Sequence, residues 1–147
     1  MKRVVIANDH GAVTLTQALI CHLKKKGYEV TYLGTSTTDA VDYPDQAEKA
    51  CKEYLKGGYE FGIVLCGTGI GISISANKID GIFCALPQNV YAAKMAKEHN
   101  KANFLAFGGR IEYGEPVTDI LDSYLNAVTS EEERHVRRRA KMAALQK

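Results

Sequence analysis

The chain has 147 residues, of which 46% are hydrophobic, enough for the core of one compact domain and too few for two. Nineteen basic and 17 acidic side chains leave a formal charge of +2, so the overall charge favours neither nucleic acid nor an acidic membrane surface as a partner. We find no apolar signal segment and no run of about 18 apolar residues, and we therefore expect a cytoplasmic protein.

Short β-branched runs alternate with segments of helical period, which predicts βαβ units around a parallel sheet. Strands are predicted at residues 3–7, 29–33, 61–65, 82–86 and 104–107. Helices are predicted from Thr14 as N-cap to Lys26, from about Pro44 to Gly57, from the glycine loop to Lys78, and over 89–100 and 115–126. The expected fold is a three-layer, doubly wound, Rossmann-like α/β sheet of about five parallel strands in a single domain spanning residues 1–147.

The carboxyl-terminal tail, residues 130–147, has a separate character. Ser130 and Glu133 have the spacing of a capping box, which predicts another helix. This helix would carry a crowded basic face, made of Arg134, Arg137, Arg138, Arg139 and Lys141. Its apolar stripe is thin and consists of Val136, Ala140, Ala143 and Ala144. Because such a stripe buries little on its own subunit, we expect the tail to pack against a second copy of the chain.

The four cysteines lie too far apart in the sequence for a CxxC redox or zinc pair, which argues against disulfides and a structural metal. We interpret Cys21, Cys51 and Cys84 as small hydrophobic core residues. Cys66 differs from them because it directly follows a predicted strand.

Polar residues follow four of the predicted elements where an open α/β sheet binds its ligands. They are the Asn-Asp-His-Gly sequence at 8–11, Tyr43, the Cys-Gly-Thr-Gly-Ile-Gly sequence at 66–71, and the Gly-Gly-Arg sequence at 108–110. Because the carboxyl ends of parallel strands lie at one edge, we expect these residues to converge on one crevice.

Three alternate glycines, Gly67, Gly69 and Gly71, can direct backbone amides and a helix N-terminus at an anion. An ordinary tight turn between strand and helix is the alternative interpretation. The spacing is neither the GxGxxG of a dinucleotide site nor a phosphate-binding P-loop.

Cys66 precedes this loop, where amides and the helix dipole favour a thiolate that could act as a nucleophile or as a base. A phosphatase of the low-molecular-weight tyrosine type requires an arginine six positions after its cysteine. Ile72 occupies that position, which argues against this class.

Three further features are ambiguous when they are considered alone. His99 would end the fourth helix, where a histidine is commonly a surface residue favoured by the dipole. Asp9 and His10 could simply bond the backbone of their own turn. Arg134 and Arg138 are four residues apart on one helix face, which suits either a two-guanidinium phosphate site or a solvated basic face.

Six motifs in order along the chain resemble the ribose-5-phosphate isomerase B family. They are Asn-Asp-His-Gly at 8–11, Asp-Tyr-Pro at 42–44, Cys-Gly-Thr-Gly-Ile-Gly-Ile-Ser at 66–73, Ala-Asn-Lys at 76–78, Glu-His-Asn at 98–100 and Arg-His-x-x-Arg at 134–138. The resemblance spans nearly the whole chain, and the motif around Cys66 is specific to the family. The family also includes allose-6-phosphate isomerases and the subunits of galactose-6-phosphate isomerase.

The resemblance implies an aldose-ketose isomerase that interconverts ribose 5-phosphate and ribulose 5-phosphate through an enediolate, with Cys66 as the base. The implied catalytic residues are Cys66, His99, Thr68 and Asp9, with His99 as the proton donor for ring opening. The implied substrate-binding residues are Asp9, His10, Tyr43, Gly67, Thr68, Gly69, Ile70, Gly71, Asn100, Arg110, Arg134 and Arg138. It further implies a homodimer or homotetramer with shared active sites, a phosphorylated sugar as the only ligand, and neither metal nor organic cofactor.

Departures from the family pattern leave two alternatives open. The combination of Cys66 with Ile70 indicates the branch that keeps the cysteine, and the intact His-Asn pair and glycine loop favour a pentose phosphate. The loop at 86–89 is unusual, however, and Glu132 and Glu133 stand beside the arginines where the family commonly has small residues. A hexose 6-phosphate, allose or galactose, is therefore the alternative substrate, and a non-catalytic sugar-phosphate-binding module is the alternative function.

Overall fold

Five parallel strands form one sheet in the computed structural model, which describes residues 1–146. The strands are β1 (Arg3–Asn8), β2 (Glu29–Tyr32), β3 (Phe61–Cys66), β4 (Cys84–Ala85) and β5 (Phe104–Gly108). The helices are α1 (Val13–Lys25), α2 (Tyr43–Leu55), α3 (Ile70–Asn77), α4 (Val90–Glu98), α5 (Val117–Asn126) and α6 (Glu133–Ala143). No helix in this part of the chain is long and apolar enough to cross a membrane. The strand order is β2-β1-β3-β5-β4, and the predicted Rossmann-like α/β fold is confirmed.

The hydrophobic core has two halves, because alternate residues of each strand point to opposite faces of the sheet. On one face, Val4 and Ile6 of β1 pack with buried residues of α1, α4 and α5. On the other face, Val5 and Ala7 pack with α2 and α3. Cys66 belongs to this second half, so its side chain projects from the face of the sheet that α3 covers.

Two of the predicted boundaries are wrong. Only Cys84 and Ala85 of the predicted fourth strand pair with β5, because the Ile82 amide donates to the Ile79 carbonyl, 3.1 Å away, in the preceding turn. Thr14 is not a helix cap. The chain is already helical in a short 3-10 turn at His10–Ala12, which Asp9 caps by accepting a hydrogen bond from the Gly11 amide.

The capping box predicted in the tail is also wrong. α6 begins at Glu133 with Glu132 as its N-cap residue, and Ser130 lies farther upstream. Instead, Ser130 Oγ accepts from the Glu132 amide at 3.2 Å and lies 2.8 Å from His135 Nδ1. Ser130 therefore bonds to the Glu132 amide and to the His135 side chain, and it does not cap α6.

Polar groups hold α6 on its own chain. Arg139 donates to the carbonyl oxygens of His99 and Ser130, at 3.1 and 3.0 Å. His135 is the buried residue of the helix, whereas Val136 is 42% exposed and Ala143 and Ala144 are exposed. The apolar stripe of α6 is therefore exposed to solvent in the single chain, and its packing against a second copy stays a prediction.

Two of the three cysteines interpreted as core residues are covered, and one is not. Cys51 is fully buried, and burial raises the pKa of its thiol to about 12. Cys84 is partly buried in the edge strand. Cys21 is exposed, because the neighbouring Ile20 and Leu23 provide the buried face of α1 and Cys21 projects to solvent.

Candidate active site

The loops that follow β1, β3 and β5 meet at the carboxyl edge of the sheet. A Cβ on Gly11 would lie 2.9 Å from the Gly67 amide nitrogen, and one on Gly109 would lie 2.4 Å from the Gly11 carbonyl oxygen. Glycines therefore allow the three loops to pack together. The chain passes from one side of β1 to the other at this point, which is where α/β sheets bind ligands.

The glycine loop at 67–71 folds over the sulfur of Cys66. Cys66 ends β3 with 5% of its surface exposed, and its Sγ accepts a hydrogen bond from the Gly69 amide at 3.1 Å. Gly69 has φ +80°, a left-handed conformation that turns this amide back toward the sulfur. The amide and the adjacent start of α3 therefore direct partial positive charge toward the sulfur.

Arg110 and the first turn of α3 make the surroundings of the loop electropositive. The Arg110 amide donates to the Gly67 carbonyl at 2.9 Å, and its guanidinium Nη1 would be 3.2 Å from a Cβ on Gly67. Within the loop, Thr68 Oγ1 accepts from the Ile70 amide at 3.1 Å. Because the amides of Gly69 and Ile70 are used internally, an anion here would face the Arg110 guanidinium and the remaining first-turn amides of α3.

Asp9 and Tyr43 line the cleft beside Cys66, and His10 lies next to them in an adjoining depression. The buried Asp9 accepts from the Gly11 amide at 2.8 Å, and His10 Nδ1 accepts from the Val41 amide at 3.2 Å. That bond leaves Nε2 to carry the proton of the neutral His10 ring. The cleft measures about 500 Å³, and it is lined by Asp9, Tyr43, Cys66, Gly67, Thr68, Ile70, Gly71 and Ile74.

Two residues that support this edge were missed from the sequence. Tyr113 accepts a hydrogen bond from the Gly108 amide at 2.9 Å; burial raises the pKa of its phenol, and negative charge on Cys66 adds to the rise. Gln46 is buried and donates from Nε2 to the Asn8 carbonyl at 2.8 Å. A tyrosine in a loop and a glutamine in a helix carry no motif, so no sequence signal marked them.

His99, Asn100, Arg134 and Arg138 are not part of this cleft. His99 follows the last turn of α4, shortly before β5 begins at Phe104. Phe104 pairs with Gly62 near the start of β3, whereas Cys66 pairs with Gly108 at the other end. Four residues of strand separate the two levels by about 13 Å. Within one chain, the structure therefore separates the predicted site residues into two groups at opposite edges of the sheet.

The second group is organised around His135, whose ring lies against that of His99 with centroids 4.2 Å apart. Burial, followed by the charges of His99 and Arg134, lowers the pKa of His135. The sequence motif at 134–138 contains this histidine, but its spacing gave it no role. Its burial is the signal that only the structure provides.

Comparisons with known proteins agree with this arrangement of fold and loops. Residues 4–142 match the family model described as Ribose/Galactose Isomerase. Ribose-5-phosphate isomerase B of Escherichia coli is 37% identical over 127 residues, which cover 86% of this chain and 85% of the relative. The solved structure of the Clostridium thermocellum enzyme of that name has a TM-score of 0.91 at 42% identity, covering 97% of this chain and 96% of the other.

A second solved structure, the type B ribose 5-phosphate isomerase of Trypanosoma brucei, has a TM-score of 0.93 at 34% identity and covers 99% of both chains. The similarity thus includes the sheet, the glycine loop and the tail helix together. The chain belongs to the ribose/galactose isomerase family, whose characterised members are aldose-ketose isomerases.

Proposed function

We propose that the protein interconverts ribose 5-phosphate and ribulose 5-phosphate through an enediolate, with Cys66 as the base. The observation that carries the proposal is the Cys66 sulfur, which accepts the Gly69 amide at 3.1 Å in a cleft beside Arg110. The relatives named as ribose-5-phosphate isomerases support the pentose substrate.

The proposed reaction moves one proton between two carbons. The Cys66 thiolate removes the proton from C2 of the open-chain aldose, and the electron pair of that bond forms the C1–C2 double bond as the C1 oxygen becomes an enediolate oxyanion. A proton passes from the C2 hydroxyl to the C1 oxyanion. The thiol then returns the abstracted proton to C1 as the C2 carbonyl forms, which gives the ketose. The oxyanion is stabilised by the loop at 67–71 and by Arg110; one such donor typically contributes about 10²- to 10³-fold. Asp9 and Thr68 flank the reacting carbons.

Ring opening must precede this step, because the sugar is mainly a closed furanose in solution. We assign it to His99, which donates a proton to the ring oxygen. The predicted ligands of the sugar hydroxyls and the phosphate are His10, Tyr43, Asn100, Arg134 and Arg138. His10 contributes a donor at Nε2, because its Nδ1 is occupied by the Val41 amide.

A second copy of the chain completes the site in this proposal. His99 and Cys66 of one chain are at opposite edges of the sheet, so one chain cannot bring both to the same substrate. Ile70 and Ile74 of α3 are 52% and 56% exposed beside the cleft, and they offer an apolar surface for that copy. Such a homodimer, or a tetramer built from it, would place His99, Asn100 and the α6 arginines of one chain over Cys66 of the other.

The test is proton NMR of ribose 5-phosphate in D₂O with catalytic amounts of protein. We expect the C2 proton signal to disappear and ribulose 5-phosphate to form. If ribose 5-phosphate is inert, allose and galactose 6-phosphates are examined next, because the chain belongs to the ribose/galactose isomerase family. Saturable binding without exchange of any C2 proton would contradict catalysis and favour a sugar-phosphate-binding module.

A further inference from the structure

Three consecutive glutamates at the start of α6, Glu131, Glu132 and Glu133, each pair with a different arginine of that helix. Glu131 pairs with Arg139 at 3.8 Å and Glu133 pairs with Arg137 at 2.5 Å. Glu132 pairs with Arg134. Among residues 1–146, Arg138 is the arginine of α6 that has no carboxylate within 4.0 Å.

These pairs affect the two proposed phosphate ligands differently. Arg139 is largely covered and donates to two backbone carbonyls, so its position is fixed by the fold. Arg137 is not among the predicted ligands. Arg134 is a predicted ligand, and its guanidinium is already bound to an anionic group, the Glu132 carboxylate.

A carboxylate and a phosphate compete for the same face of a guanidinium. Arginine binds both through paired, parallel hydrogen bonds, so Glu132 and a phosphate cannot use the same donors of Arg134 at once. A phosphate ester carries between −1.5 and −2 charges at pH 7 and three acceptor oxygens, against one charge for the carboxylate. The phosphate therefore displaces Glu132, and part of its binding free energy is lost in breaking the existing pair.

We infer that Glu132 competes with the phosphate of the substrate for Arg134. Without phosphate, Glu132 pairs with Arg134, and this pairing lowers the affinity of Arg134 and Arg138 for phosphate. The inference rests on the proposed function in assigning these arginines to phosphate. Substrate and product carry the same phosphate, so Glu132 weakens the binding of both. The side chains of the pair are 56% and 58% exposed, and exposed pairs of this kind change affinity by about 1.4- to 5-fold.

The test measures the binding of inorganic phosphate by calorimetry, at fixed pH and ionic strength, to the full-length protein in its native assembly. Glu132→Gln keeps the size of the side chain and removes its charge, and we expect it to tighten phosphate binding by about 1.4- to 5-fold. Glu133→Gln is the matched control, because it removes the same charge from the adjacent residue and frees Arg137, which is not a predicted ligand. We expect no change in phosphate affinity in that control.

A double-mutant cycle identifies the partner. In an Arg134→Gln background, Glu132→Gln should no longer tighten binding, because the donor group that it releases is absent. The inference is overturned if Glu132→Gln fails to tighten binding, if Glu133→Gln tightens it equally, if the effect persists without Arg134, or if no variant binds phosphate saturably. Absence of turnover in the NMR test together with the expected phosphate response would refute the isomerase and leave this inference standing.

Discussion

The imidazole of His99 lies nearly parallel to that of His135, with ring centroids 4.2 Å apart and an angle of 26° between the planes. Ser130 Oγ is 2.8 Å from His135 Nδ1, and Arg139 donates to the His99 carbonyl at 3.1 Å. Two residues of the tail, His135 and Arg139, therefore contact His99, the proposed proton donor. We interpret His135 as a positioning residue for His99.

Replacing His135 with Gln should reduce kcat/KM on ribose 5-phosphate by about 2- to 10-fold, because an aromatic pair contributes roughly 0.5–1.5 kcal/mol beyond its buried area. His135→Phe keeps an aromatic face behind His99 and should stay closer to the wild type. Steady-state kinetics of the two variants check this. Equal losses in both would indicate that the bond to Ser130, not the ring, is the important contact.

The pH dependence of stability follows from the lowered pKa of His135. Burial is the largest cause that lowers the pKa of His135. The charges of His99, Arg134 and Arg138 lower this pKa further, and the charge of Glu132 raises it. Because the folded state prefers the neutral ring, the contribution of His135 to stability is complete above the unfolded pKa of about 6.5 and is lost as the pH falls through the lower, folded value.

The free energy of unfolding in urea should therefore fall more between pH 7.5 and pH 5 in the wild type than in His135→Gln. The variant has no titratable side chain at position 135. His10→Gln is a suitable comparison, because it removes another histidine at a different edge of the sheet. An equal loss in the wild type and in His135→Gln would contradict the assignment.

Cys66→Ala should reduce kcat by about 10²- to 10⁴-fold, the usual contribution of a general base. The fold should persist, because Cys66 is one small residue among many in its half of the core. Cys66→Ser retains an acceptor for the Gly69 amide but is a much weaker source of an anion, so its kcat should fall by a similar factor. Turnover and circular dichroism are measured on the same samples. A Cys66→Ser variant with near wild-type kcat would contradict the base assignment.

Mixed assemblies test the shared site directly. Cys66→Ala and His99→Asn should each be inactive, yet refolding them together should restore activity, because a heterodimer contains one site with both residues intact. For random pairing of equal amounts in a dimer, the recovered activity is about one quarter of the wild type. Two Cys66→Ala proteins refolded together are the control. No recovery in a confirmed heterodimer would contradict a site shared between two chains.

Gly69→Ala should destabilise the protein and abolish the loop geometry. At φ +80° a side chain is strained, and its Cβ would lie 2.7 Å from Leu86 Cδ1 and 2.9 Å from the Phe107 carbonyl carbon. We expect a loss of about 1–3 kcal/mol from the backbone alone, with the clash added to it. Gly27→Ala is the matched control, because Gly27 has φ +92° with nothing within 4 Å. A Gly69→Ala loss no larger than that of Gly27→Ala would show that the contacts are unimportant.

Local patterns predicted most of the fold because they depend on neighbours in the chain. The buried run of β3 and the Pro44 start of α2 follow from periodicity and capping chemistry. Where the prediction failed, a contact from elsewhere decided the outcome. Ser130 bonds to the His135 side chain instead of capping α6, and β4 is limited to the two residues that reach β5.

Residue order alone predicts the parallel sheet, the glycine loop around Cys66 and the family to which the chain belongs, because these depend on hydrophobic periodicity and on local glycine and strand chemistry. Packing of the helices on the sheet places Cys66 and His99 at opposite edges of one chain, stacks His135 on His99 and pairs Glu132 with Arg134. Those relationships join residues whose separation and orientation are set by how helices pack on the sheet, and the spacing of motifs along the chain does not encode them.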